Sequence, residues 1–69
     1  MRISARNQLT GTITSVEHGS VMSTVHIRLD GGQEVVAAIT KDSAQGLDLT
    51  EGDAVTAVIK STEVMVAKD

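Results

Sequence analysis

Apolar and polar residues alternate along several short stretches of this chain, and the alternation has the period of a β-strand. It is clearest in "VMSTVHIRL", Val21 to Leu29. There Val21, Val25, Ile27 and Leu29 fall on one face, and Met22, Thr24, His26 and Arg28 on the other. The preceding stretch "LTGTITSVE", Leu9 to Glu17, is rich in Thr, Ile and Val and reads as another strand. Gly11 inside it marks a bulge or a close backbone approach. "HGS", His18 to Ser20, is the turn between the two.

Further along, "DGG" (Asp30 to Gly32) is a hairpin turn, because Gly supplies the positive φ that such turns need. "EVVAAIT" (Glu34 to Thr40) is a near-continuous apolar strand. In "TKDSAQGL" the strand pattern breaks. Thr40 can cap a short helix through Ser43 or Gln45, and Gly46 can end it. "EGD" is a turn, and "AVTAVIKS" (Ala54 to Ser61) and "EVMVA" (Glu63 to Ala67) read as the last two strands. Three strands, a short helix and two strands is the order of the OB-fold, a small partly open barrel. The expected fold is therefore all-β: an OB-like five-stranded barrel with one short helix. A helix of about two turns is too short for a parallel βαβ crossover.

Composition changes this picture in one respect. The 69 residues make a single domain spanning 1–69, and a 41% hydrophobic content suits a globular one. But the chain has no Phe, Trp or Tyr, so Val, Ile, Leu, Ala and Met must form the core. A domain of this size buries only about 60% of its unfolded surface even when well packed. It also has no Cys, hence no disulfide and no thiolate metal site. His18 and His26, on strand-like sequence, do not resemble a zinc ligand set. Oligomerisation is the remaining remedy.

Charge and aromatics exclude function classes. A net charge of −3 leaves no basic footprint for a duplex, and stacking platforms for single strands are missing. No stretch approaches the ~20 apolar residues of a membrane span, and the N-terminus lacks a signal-peptide core. The expectation is a cytoplasmic protein with neither nucleic-acid nor membrane partners. Catalysis is unsupported as well. No nucleophile elbow accompanies the Ser and His residues, and Asp42, Asp48, Glu51 and Asp53 sit in helix and turn sequence. His26 reads as a solvated or interface histidine, Met22 and Met65 as gap fillers. "GGQE" lacks the rest of a phosphate loop.

What remains is donor chemistry. "SARNQ" near the start offers hydroxyl, guanidinium and amide donors, "IKST" near the end offers similar ones, and "ITKDS" places Thr40 and Ser43 at a helix start. Converging N–H and O–H donors with one or two cations suit a tetrahedral oxyanion. Such clusters more often serve as caps, turns and solvated charges. On residue chemistry alone both readings stand.

The combination of "SARNQLTGTI", "AITKDS" and "AVIKSTEVMVA" resembles the molbindins, molybdate-binding proteins built from a single Mop (TOBE-type) domain. The resemblance covers essentially the whole chain. It implies an OB-like barrel with strands exchanged between subunits of a dimer, and a homohexamer arranged as a trimer of dimers. It implies molybdate or tungstate as ligand, with no separate cofactor, bound at subunit interfaces for storage or homeostasis. The family's Ser-Ala-Arg-Asn segment matches Ser4, Ala5, Arg6 and Asn7, its late Lys-Ser pair Lys60 and Ser61, and its groups at the helix start Thr40 and Ser43. The turn at His18, Gly19 and Ser20, together with Asn7, is the candidate for a second class of site.

The chemistry agrees with that resemblance. Molybdate at neutral pH is a dianion with no proton to donate, so its site needs donors and no acceptors. Ser4, Arg6, Thr40, Ser43, Lys60 and Ser61 all donate. Sulfate has the same charge and shape but is smaller, so cavity size must discriminate. The rivals are an OB-type nucleic-acid or protein-interaction module, and an accessory regulatory domain of a molybdate transporter or regulator. A chain running from Met1 to just past its last strand suits the free-standing form.

Overall fold

The computed structural model describes residues 2–69. Its elements are β1 (Asn7–His18), β2 (Met22–Leu29), β3 (Glu34–Thr40), α1 (Lys41–Gly46) and β4 (Ala54–Ile59), followed by a 3-10 turn at Ser61–Glu63. The strands form one antiparallel sheet in the order β3-β2-β1-β4. β1 is thus paired on both sides, with β3 and β4 as the edges.

The alternation in β2 does what its sequence requires. Ser23, Val25 and Ile27 turn inward and are buried, while Thr24, His26 and Arg28 face out. Val21 stays exposed, outside the strand. β1 achieves the same with a correction. Its inward residues are Gly11 and Ile13 before Thr14, but Val16 after it. Thr14 is the extra residue of a bulge: Ile13 pairs with Ile27, and the next pair is Ser15 with His26. The Thr14 hydroxyl donates to the His26 carbonyl at 3.3 Å. The bulge therefore sits at Thr14, and Gly11 is instead a close approach. A Cβ there would lie 2.5 Å from the Arg28 carbonyl oxygen and 2.9 Å from Ile27 Cγ2.

The turns follow their chemistry. Gly32 and Gly52 adopt positive φ in the two tight turns, and the Gly32 amide donates to the Leu29 carbonyl at 2.8 Å. Thr40 caps α1, its Oγ1 accepting from the Ser43 amide at 3.1 Å. The helix closes at Gly46, and Asp48, not a glycine, takes the left-handed conformation.

Two expectations about the C-terminal end are corrected. β4 stops at Ile59 rather than Ser61, and Glu63–Ala67 forms no fifth strand. The 3-10 turn carries the chain off the ladder, and an apolar extended segment is a strand only where an edge pairs with it. Here Met65 and Val66 are each 93% exposed. The barrel is consequently open: a curled four-stranded sheet with a helix at one end.

The core is small. Only Ile13, Val25 and Ile27 are fully buried in the main cluster, with Val35, Ile39, Leu49 and Val55 half-buried around them. An apolar groove of about 460 Å³ stays open between β3 and β4. The chain exposes 5492 Å², whereas a folded monomer of 7.2 kDa exposes roughly 4,100 Å².

Two stability predictions follow from this packing. Gly11→Ala drives a methyl group into the Arg28 backbone, and urea denaturation should show a loss of about 1–3 kcal/mol. Thr40→Ala removes the helix cap and should cost about 1 kcal/mol in the same measurement.

Candidate anion site

β1 and β4 run antiparallel from the pair Thr12–Ala54 to the pair Asn7–Ile59. That register decides where the donor segments go. Ser4, Ala5 and Arg6 precede Asn7, and Lys60 and Ser61 follow Ile59, so one chain brings both segments to the same end of the sheet. The Asn7 side-chain amide strengthens the junction by donating to the Ile59 carbonyl at 3.2 Å. The Gln8 amide donates to the Ala5 carbonyl at 2.8 Å.

The 3-10 turn orients the second segment. The Glu63 amide donates to the Lys60 carbonyl at 2.9 Å, so this carbonyl is occupied. The amides of Ser61 and Thr62, by contrast, donate to no backbone group among the described residues. Glu63 enters the turn through its backbone rather than continuing a strand. Arg6 and Lys60 are exposed, and neither forms an ion pair among the described residues. Two cations with no ion-pair partner among the described residues, together with the Ser4 and Ser61 hydroxyls, make a donor-rich corner on a chain whose net charge is −3, with the Glu63 carboxylate in the same turn. Local donors govern such a corner, because distant exposed charges are screened beyond about 8 Å.

The other expected residues lie elsewhere. β3 ends at Thr40, which pairs with Met22 at the opposite end of the sheet. Thr40 and Ser43 are joined there, the Thr40 hydroxyl donating to Ser43 Oγ at 2.8 Å. The His18–Ser20 turn shares that end: the Lys41 amide donates to the Val21 carbonyl at 2.8 Å. His18 Nδ1 lies 2.6 Å from the hydroxyl of Ser23, the buried polar side chain of the core. One chain therefore gathers Ser4, Ala5, Arg6, Asn7, Lys60 and Ser61 at one pole, and His18, Gly19, Ser20, Thr40 and Ser43 at the other. Within one chain the two terminal segments already adjoin. Gln8, the last residue of the "SARNQ" donor stretch, is not among the site residues named from the sequence, and its side chain is tied to that stretch by its bond to the Ala5 carbonyl.

His26 stands apart from both clusters. Its Nδ1 lies 3.1 Å from Glu34 Oε1 on the outer face of the sheet. No group of three or more His, Cys, Asp or Glu side chains able to hold a metal ion occurs among the described residues. Among the described residues no helix is long and apolar enough to cross a membrane.

Comparison with known proteins gives a consistent answer. The family model of the TOBE domain matches residues 3–66. Molybdenum-pterin-binding protein 3 of Clostridium pasteurianum is 47% identical over 66 residues, covering 96% of this chain and 97% of that protein. The solved structure of a molybdate-binding protein from Sporomusa ovata superposes with a TM-score of 0.92 at 47% identity, covering 99% of this chain and 100% of that one. The cytoplasmic molybdate-binding protein ModG, solved with molybdate bound, matches with a TM-score of 0.85 at 43% identity, covering 88% of this chain but 43% of that one. With its Ser-Ala-Arg-Asn and Lys-Ser segments joined at one pole of a curled sheet, the chain belongs to the TOBE domain family.

Proposed function

We propose that this protein binds molybdate, without catalysing a reaction on it, at the pole formed by Ser4–Asn7 and Lys60–Ser61. The observation that carries the reading is the pairing of Asn7 with Ile59, which brings Arg6 and Lys60, neither with an ion-pair partner among the described residues, to the same end of the sheet. Arg6 and Lys60 supply charge; the hydroxyls of Ser4 and Ser61 and the free amide of Ser61 supply directed hydrogen bonds. A dianion without protons asks for that set. The names of the relatives point the same way: molybdenum-pterin-binding and molybdate-binding proteins of nearly the same length. Tungstate, of the same shape and charge, is the second ligand of this reading.

The site is completed by assembly. Thr40 and Ser43 lie at the far end of their own chain, so they reach an anion only from a neighbouring copy. Glu63–Ala67 then serves as an exchanged fifth strand, laying Val64 and Val66 against the open edge of that copy. The excess exposed surface and the apolar groove between β3 and β4 support this joining of chains. The expected particle is a homohexamer, a trimer of dimers, acting in the cytoplasm to store or buffer the oxyanion. The extent of ModG, more than twice this chain, favours a second reading: a binding domain within a longer molybdate-handling protein.

Titration calorimetry tests the ligand. Molybdate should give saturable heat and sulfate much less; equal heats, or none, overturn the reading. Arg6→Ala and Lys60→Ala should each weaken binding roughly tenfold or more, the scale of a lost charge-assisted hydrogen bond, with the melting temperature kept. Light scattering should find a particle about six times the 7.2 kDa chain mass. Val64→Asp should lower that mass, since it puts a charge into the proposed apolar joint.

A further inference from the structure

The donor segment Ser4–Arg6 lies outside every strand. Both Ser4 and Arg6 sit at bends, and the segment is mostly exposed. Beyond the strand ladder, one hydrogen bond ties it down among the described residues: Gln8 Nε2 to the Ala5 carbonyl, 2.8 Å. The neighbouring residue does the corresponding work on the other segment. Asn7 Nδ2 holds the Ile59 carbonyl at 3.2 Å, immediately before Lys60.

Adjacent residues of a strand point to opposite faces. Asn7 has the inward parity of Gly11 and Ile13, and Gln8 has the outward one. The two amides therefore grip from opposite sides of the sheet. Each ties down a main-chain carbonyl next to the donors, which keeps acceptor oxygens occupied and turned from the anion. Each also restricts a segment whose own backbone bonds are few, so that less freedom is lost when the anion arrives.

We propose that Gln8 and Asn7 are positioning residues for the oxyanion: Gln8 fixes Ser4–Ala5–Arg6, and Asn7 fixes the exit of β4 toward Lys60–Ser61. This rests on the molybdate reading above. Neither side chain needs to touch the ligand. Their effect is on affinity and on selectivity, because a loosened frame closes around sulfate as readily as around the larger molybdate.

Gln8→Met keeps length and removes the donor at an exposed position; Asn7→Ala is the companion change. Both variants and the unaltered protein are titrated with molybdate and with sulfate. Each is also melted, weighed in solution and followed by hydrogen exchange without anion. The expected result for Gln8→Met is molybdate affinity lower by roughly threefold to tenfold, the scale of one ordinary hydrogen bond. The molybdate-to-sulfate ratio should narrow, and the amides of residues 4–7 should exchange faster in the anion-free protein. Melting temperature and particle mass should not move. For Asn7→Ala the faster exchange should appear at residues 60–62. Undiminished molybdate affinity in both variants, beside normal binding by the unaltered protein, overturns the positioning role alone. So does a loss of affinity matched by a fall in melting temperature. Absence of molybdate binding by the unaltered protein overturns both readings.

Discussion

The ladder between β1 and β4 joins residues far apart in sequence, and the Asn7–Ile59 pair at its end controls the relation of the two termini. β1 also packs tightly on β2, where Gly11 leaves room for the Arg28 carbonyl. The backbone of Ile13 extends the contact, donating to the Asp53 carbonyl at 2.9 Å and accepting from the Gly52 amide at 2.8 Å. A doubly paired strand is the most rigid support a small sheet offers. Placing the donor segments at its end gives an exposed corner a fixed frame, where a free loop would give only an average one.

The second governing fact is the shortage of apolar volume. Without aromatic residues, three large side chains are the whole of the fully buried cluster. The remaining apolar residues do not vanish; they line a groove and a tail. Val64, Met65 and Val66 have the composition of a buried strand and the exposure of a loop. The same sequence economy gives the chain both an apolar gap and an apolar segment. In the assembly proposed above, ligand binding and association would draw on the same surfaces, and each would strengthen the other.

Much of this was legible in the sequence, and the residues show why. Met22 to Leu29 alternates because β2 has one wet face, and Thr40 precedes a helix because its hydroxyl replaces a missing backbone partner. The bulge was harder to see. "ITSV" puts two inward residues three apart, a break in period that looks like noise until the pairing with β2 is known. Glu63–Ala67 misled for a different reason: its pattern encodes burial, but within one chain it pairs with neither open edge, β3 nor β4. The donor residues were identifiable by type, but their grouping into two poles depends on register, which no local spacing contains.

The bulge at Thr14 has an effect that reaches both ends of its strand. Asn7 and His18 stand at the two ends of a 12-residue strand, an odd offset in position, so an unbroken strand would turn them to opposite sides of the sheet. The inserted residue restores parity. Asn7 and His18, bonded to Ile59 and Ser23 respectively, now look into the same concave side. One residue of irregularity thus makes a single strand serve two polar termini on one surface. Deleting it would shorten the strand by one position and invert everything on one side of it, leaving one pole outside the curl that the other still faces.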